Sequence, residues 1–413
     1  MRILIVNTFE RKGGAAVAAN RLMQALQKEG CEVRMLVRDR QTDDSRVMSV
    51  RTSWVKGKLV FFRFAWERWV IFLNNVFNKE NLFQVSIANT GNDISTHPWV
   101  TEADVIHLHW FNQGLLSLHN IRQLKSLGKP IVWTMHDIWA FSGICHYPGT
   151  CEKYLTKCEK CPLQKKKIAD LAKLTFEKKQ QIVGEGIQYV GCSQWIASCA
   201  KQSALLRNAS ITNIPNPIDT DLFCPKDKQK VRSELNLPAE KKLLLFAAAK
   251  VSDSRKGIHY FLEACKLLQG QNVEVVFLGG DIDPELLEAL PLPSHVLGYL
   301  HTPADISAAY AACDLFVIPS LEDNLPNTVM EAMSCGTPCI GFNTGGIPEM
   351  IDHQQNGYVA EYKNAADLAK GIVFCVENYS WLSKASREKV EACYREEVVA
   401  RRYLEIYNQL LGK

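Results

Sequence analysis

What this chain of 413 residues lacks narrows it first. It has no uninterrupted apolar run of about 18 residues, so no membrane-spanning helix is expected. Its opening, Met-Arg-Ile-Leu-Ile-Val-Asn, is too short for a secretory leader and lacks the small-residue cleavage signal, which makes the cytoplasm the expected compartment. Surplus charge is small: 48 Lys and Arg against 44 Asp and Glu leave +4, too little for a dedicated nucleic-acid binder. Low-complexity tracts are missing, and with 47% hydrophobic and 22% charged residues neither disorder nor a fibrous repeat fits. No G-x-G-x-x-G follows the first apolar run, which argues against a nicotinamide-dependent enzyme.

What is present is a repeating alternation. Residues 3–6 form a short apolar run, followed by Glu10-Arg11-Lys12-Gly13-Gly14, a helical pattern over 15–28, Gly30 and a second run at 33–37. That order predicts a strand, loop, helix and strand. Similar runs lie at 105–108, 131–134 and 188–191, each ending in polar residues or glycine. The prolines of 211–217 read as a linker. The alternation then restarts, with runs at 243–247, 273–278, 315–318 and 338–341 and helices opening near Lys256, Ala304, Asn327 and Gly346. This predicts an α/β protein with two Rossmann-like parallel sheets, over 1–214 and 215–380, and a helical segment 381–413 crossing back onto the first half.

The most informative passage reads Pro319-Ser320-Leu321-Glu322-Asp323-Asn324-Leu325-Pro326-Asn327-Thr328-Val329-Met330-Glu331-Ala332-Met333-Ser334-Cys335-Gly336-Thr337-Pro338. A strand feeds an acidic loop, the loop opens a helix, and Glu331 follows one turn inside. Ligands of open α/β sheets bind beyond the carboxyl ends of strands, and a carboxylate suits the two hydroxyls of a ribose. An acidic first helical turn complementing the macrodipole is the plainer reading. Arg255 and Lys256 open a helix and can face a diphosphate, while Gly345 and Gly346 precede another whose free N–H groups suit an anion. Gly13 and Gly14 allow close backbone approach to a ligand. His136 ends a strand in Thr134-Met135-His136-Asp137. His107 and His109 share one strand face and read as structural or acceptor-pocket residues. Two Asp-x-Asp pairs, Asp219/Asp221 and Asp281/Asp283, read as turns.

The long passage resembles the donor-site motif of the family-4 retaining glycosyltransferases of the GT-B fold: Glu, seven residues, Glu, then Ala-Met/Ala-x-Cys/Gly-Gly-Thr-Pro. Asp323 stands seven intervening positions before Glu331, with Glu322 one further back, so which acid takes the first role stays open. The resemblance extends to Gly345-Gly346-Ile347-Pro348-Glu349, to Arg255-Lys256-Gly257 and to Gly13-Gly14-Ala15, and covers nearly the whole chain. It implies two Rossmann-like domains facing a central cleft, an N-terminal one for the acceptor and a C-terminal one for a nucleotide sugar. The implied reaction moves a hexosyl group from a nucleotide diphosphate sugar to an acceptor hydroxyl, here a lipid-linked glycan of surface polysaccharide, with retention and without a catalytic metal. By resemblance His136, Glu322 and Asp323 are catalytic, and Gly13, Gly14, Lys250, Arg255, Lys256, Asn324, Glu331, Gly345 and Gly346 bind the donor. Lys250 is the nearest candidate for the first of the family's two cations, because Ala247-Ala248-Ala249 stands where relatives often show Gly-Arg. The alternatives are a non-catalytic scaffold subunit that binds sugar nucleotides, or another GT-B enzyme such as a sugar-nucleotide epimerase.

Two features depart from that pattern. Cys145, Cys151, Cys158 and Cys161 fall within 17 residues, beside His146. Close spacing favours a structural tetrahedral zinc over disulfides, with free thiols as the alternative. Residues 51–80 hold six Lys/Arg, two acids and Trp54, Phe61, Phe62, Phe64, Trp66, Trp69, Phe72 and Phe77. They suit either an interfacial helix on anionic headgroups or a helix packed on the protein's own sheet. The lysine-rich stretch 151–180, nine Lys against four acids, lies in the same half. The expected location is therefore cytoplasmic and peripheral, at the inner face of the cell membrane.

Overall fold

A computed structural model describes residues 1–51, 53–164, 167–251 and 253–413. Thr52 of the aromatic stretch, Lys165 and Lys166 of the lysine-rich one, and Ser252 lie outside the described residues. The chain divides into two compact units, Met1–Asn216 with Val399–Lys413, and Pro217–Val398. The returning segment thus starts at Val399 and not at 381. The helix Tyr379–Cys393 stays in the second unit because its apolar side, including Leu382, is buried in that unit's core.

Among the described residues, the first unit has seven parallel strands: β1 (Arg2–Phe9), β2 (Glu32–Asp39), β3 (Val47–Ser49), β4 (Val105–Leu108), β5 (Ile131–Met135), β6 (Gln188–Gly191) and β7 (Ser210–Asn213). Their order is β3-β2-β1-β4-β5-β6-β7. The side-chain period of two sends Leu4, Val6, Ile106, Leu108 and Trp133 to one core and Ile3, Ile5, Val105 and Val132 to another. The second core is closed by the helix Gly14–Lys28, through Ala19, Leu22, Met23 and Leu26, and by the terminal helix Glu396–Leu410, through Val399, Ala400, Tyr403 and Tyr407. Residues 211–217 are not all linker. Ser210 to Asn213 pair residue by residue with β6 as an edge strand, and Pro215 and Pro217 follow where the ladder has already ended.

The second unit carries β8 (Lys242–Lys250), β9 (Val273–Gly280), β10 (Ser294–Gly298), β11 (Leu315–Ile318), β12 (Cys339–Phe342) and β13 (Gly357–Ala360), parallel in the order β10-β9-β8-β11-β12-β13 among the described residues. Buried Asp314, just before β11, accepts from Arg232 at 2.6 Å, Lys228 at 2.9 Å and the Leu243 N–H at 2.8 Å. A buried carboxylate paired this fully fixes the β8–β11 register, since any slip would leave its charge unpaired. In each sheet the order reverses once, at β1/β4 and at β8/β11, and a crevice of this kind beyond the strand ends is where open α/β sheets bind ligands.

Candidate functional site

In the second unit the loops beyond β8 and β11 meet at that reversal, with the Leu321 N–H donating to Arg255 O at 2.7 Å. Asp253 starts the short turn Ser254–Lys256: it accepts from the Arg255 N–H at 3.0 Å and pairs with the Arg255 guanidinium at 2.7 Å. Gly257 follows at φ 69°, and a Cβ there would lie 1.9 Å from Pro319 O, so the two loops close only around glycine. The turn sets Lys256 Nζ 2.7 Å from Asp323 Oδ2. Gly345, at φ 55°, passes so near that a Cβ would stand 1.7 Å from Asp323 O. Lys256, Asp323, Gly345 and Gly346 therefore share one place, with half-buried Glu322 and buried Asn324 on the same loop.

Glu331 lies in the helix Asn327–Ser334 and is nearly buried. It is bonded by the hydroxyl of buried Tyr310, which burial and then the Glu331 charge hold well above the usual phenol range. The end of the motif is structural: Thr337 Oγ1 donates to Tyr310 O at 2.7 Å and Ser334 Oγ to Phe223 O at 2.6 Å.

The glycine pair does not present the free helix terminus expected of it. The helix after Gly346 is one turn, Ile347–Met350. The Gly346 N–H faces Asp323 O at 3.4 Å, the Ile347 N–H bonds Thr344 O at 3.2 Å, Pro348 has none, and the Glu349 N–H bonds Gly346 O at 3.2 Å. Crowding against Asp323 O is what requires glycine at 345. Lys250 pairs with exposed Asp281 at 3.0 Å. The Asp-x-Asp pairs are turns: Asp219 accepts from the N–H groups of Asp221 and Leu222, and Asp283 caps Glu285.

In the first unit, β1 runs into Glu10, which is buried and accepts from the N–H groups of Gln41 at 2.5 Å and Thr42 at 2.9 Å and from the Thr42 hydroxyl. Burial pushes its carboxyl up, but these bonds and Arg11 outweigh that and hold it low. The anchored loop delivers Gly13 at φ 89°, where a Cβ would meet nothing within 4 Å; glycine serves the backbone angle and leaves open space before the helix.

The ends of β4 and β5 carry a histidine group. His109 Nδ1 lies 2.9 Å from His136 Nε2, the rings stacked, and His109 Nε2 is buried with no partner among the described residues. His107 is held on both ring nitrogens, by Thr134 Oγ1 at 2.8 Å and Tyr407 OH at 2.7 Å, and Tyr403 OH reaches Thr134 at 2.9 Å. Burial pushes His136 down to about 4, His107 to about 3, and His109 well below its ordinary value, so all three are neutral near pH 7.

Sequence reasoning missed what stands next to them. Asp137 accepts from the Trp139 N–H and from Trp110 Nε1, each at 2.9 Å, and from His146 Nδ1 at 2.6 Å, while His146 Nε2 contacts Ser86 Oγ at 3.0 Å. Burial raises the Asp137 carboxyl, but His146 and the other donors hold it low. His146 was legible only as a neighbour of the cysteines; its partner became visible once the insert folded back onto β5.

Among the described residues no group of three or more His, Cys, Asp or Glu is set to hold a metal ion, and Cys145, Cys151, Cys158 and Cys161 are free thiols. Cys145 sits in a β-bridge with Val85 and Cys158 beside Gly143, and the four lie close enough for charge on one to reach another: Cys161 and Cys158 act on Cys145, and Cys151 acts on Cys158 and Cys161. Burial, then neighbouring thiols, push Cys145 up to about 12, and burial pushes Cys158 to about 11. Lys179, counted with the basic stretch, is buried over the Trp139 ring and donates to the carbonyls of Trp139 and Ser142; burial lowers it to about 7.

Two Rossmann-like parallel sheets in tandem, with charged loops gathered at the order reversal of the second, define a protein of the GT-B fold. The chain belongs to glycosyltransferase family 4: the profile described as "Glycosyltransferase Family 4" matches residues 12–222, and "Glycosyl transferases group 1" matches 241–378. It is 30% identical over 199 residues to N,N'-diacetylbacillosaminyl-diphospho-undecaprenol alpha-1,3-N-acetylgalactosaminyltransferase of Campylobacter jejuni, covering 47% of this chain and 53% of that protein. It is 27% identical over 215 residues to N-acetyl-alpha-D-glucosaminyl L-malate synthase of Bacillus anthracis, covering 49% and 55%. The chain thus spans about half the length of these curated relatives. Among solved structures, sucrose-phosphate synthase of Thermosynechococcus elongatus superposes with TM-score 0.70 at 19% identity, covering 100% of this chain and 99% of that one. Anabaena Alr3699/HepE, solved in complex with UDP-glucose, gives TM-score 0.63 at 16% identity, covering 99% and 100%.

Proposed function

We propose that the chain transfers a hexosyl group from a nucleotide diphosphate sugar to an acceptor hydroxyl, with retention of anomeric configuration. The observation that carries this is the Lys256–Asp323 pair at 2.7 Å, at the order reversal of the second sheet. On this reading the incoming diphosphate takes Lys256 and Arg255 as its cations, and the freed Asp323 carboxylate, with Glu322, turns to the sugar hydroxyls. Glu331 holds the ribose. By the family resemblance Gly13 and Gly14 take part in donor binding, and neutral His136, its ring oriented by His109, serves transfer as a hydrogen-bonding group. The leaving diphosphate assists deprotonation of the acceptor, and the positive charge of these side chains stabilises it as it leaves. The UDP-glucose complex of the Anabaena protein supports a nucleotide-sugar donor, and the undecaprenol-linked substrate in the Campylobacter enzyme's name supports a lipid-linked glycan acceptor. On the same reading that acceptor is met at the inner face of the cell membrane.

A thermal-shift screen of nucleotide diphosphate sugars, followed by transfer of radiolabelled sugar to lipid-linked acceptor, tests the reading. At least one donor should stabilise the protein and be turned over. A stabilising donor that is never turned over would point to the scaffold role, and no response to any donor would overturn the reading.

A further inference from the structure

We infer that the outer face of the helix Trp54–Asn74, with the turn after it, docks on an anionic lipid bilayer at headgroup depth. The helix is built inside out. Its buried positions include Glu67 and Asn74 beside Val60 and Ile71, and polar contacts hold that face to the protein. Glu67 Oε1 accepts from the N–H groups of Ile87 and Ala88, both at 2.8 Å, and Arg68 donates to Val85 O at 2.9 Å and to Leu82 O. At 100° per residue the opposite side carries Phe62, Trp66 and Trp69. These are 60%, 47% and 50% exposed, and Trp54, Phe61, Phe77 and Phe83 all exceed 60%. A helix packed on its own sheet would bury the rings and expose the carboxylate.

The rings stack in two runs along this side, Phe62–Trp66 and Trp69–Phe72–Phe77. Ile168, 79% exposed, lies at the C-terminal end of this helix, its N–H bonding Asn74 O at 3.0 Å. Lys56, Lys58 and Lys79 are exposed along it, whereas of the two acids of 51–80 Glu67 is buried and Glu80 alone is exposed. No helix among the described residues is long and apolar enough to cross a membrane. A projecting aromatic ridge flanked by cations matches the headgroup layer of an anionic bilayer, where rings sit at the acyl boundary and ammonium groups meet phosphates. The inference goes beyond the transfer reading and stands on the helix alone.

Sedimentation of the full chain with vesicles tests it, using phosphatidylcholine alone and phosphatidylcholine with about 30% phosphatidylglycerol, at low and high salt. Wild type should bind the anionic vesicles, release them as salt rises, and shift its tryptophan emission to the blue. Trp66→Ser with Trp69→Ser should lower binding by about tenfold or more with the melting temperature kept, because both side chains are half exposed. Lys56→Glu with Lys58→Glu should remove the preference for anionic vesicles. Nucleoside diphosphate binding should be unchanged in every variant, which separates this test from that of the donor site. Equal binding by wild type and the tryptophan variant, no binding at low salt, or a wild-type dimer dissolved by the same substitutions would overturn the inference, the last by assigning the ridge to a second copy of the chain.

Discussion

Lys256 and Glu331 differ in what their removal leaves behind. Lys256→Ala takes away the partner of Asp323 and the ammonium proposed for the diphosphate; nucleoside diphosphate affinity should fall about tenfold or more by calorimetry, with nucleoside affinity little changed. Glu331→Ala strands the buried Tyr310 hydroxyl, so it should lose about 1–3 kcal/mol of stability as well as donor affinity. Pairing it with Tyr310→Phe separates the two effects: the double variant should recover stability and not affinity. At His107, His109 and His136 the sign of the pH dependence is set by burial. The unfolded chain takes up protons near pH 6.5 while the folded groups stay neutral to about 4 for His136 and about 3 for His107. Stability should therefore be full above about pH 6.5 and fall below it, by roughly 1 kcal/mol per pH unit for each histidine. Urea midpoints at pH 7 and 5 measure this, and equal midpoints would show that the histidines are not buried neutral.

Among the elements, the terminal helix Glu396–Leu410 belongs to the first unit's interior. Tyr407 and Tyr403 fill its core and hold His107 and Thr134. Tyr407→Phe should cost about 1 kcal/mol. Ending the chain at residue 398 should abolish the cooperative melting transition of the first unit, because Ile3, Ile5 and Val33 would lose their cover. The central strands were readable because parallel strands covered on both faces are continuous apolar runs, as residues 3–6 and 105–108 show. The edge strands β3, β7 and β10 were not: Ser210–Asn213 is half exposed and polar, and only its pairing with β6 makes it a strand. The helix at 54–74 was legible from its composition, but composition cannot say which side faces inward.

For the whole molecule, the second unit, Pro217–Val398, is continuous in sequence and has its own core, whereas the first is closed by residues from the far end of the chain. A protein of residues 217–398 should fold alone and bind nucleoside diphosphate within about tenfold of the full chain, since Lys256, Asp323 and Glu331 all lie on it. Residues 1–216 alone should not fold. Thermal melts of the two fragments check both outcomes.

The sequence by itself determined the α/β class, the tandem halves and the position of the acidic and cationic loops at strand ends, because the two-residue and 3.6-residue periods and the glycine turns are local properties of the chain. Only the tertiary structure decided that Asp323 rather than Glu322 pairs with Lys256, that Gly345 yields to crowding, that His146 holds Asp137, and that the aromatic helix turns its rings outward. Each of these depends on a partner set apart in sequence, 67 residues for Lys256 and Asp323, 22 for Gly345 and Asp323, 20 for Glu67 and Ile87 and nine for His146 and Asp137, and which groups meet across such separations is fixed by packing, not by any local period.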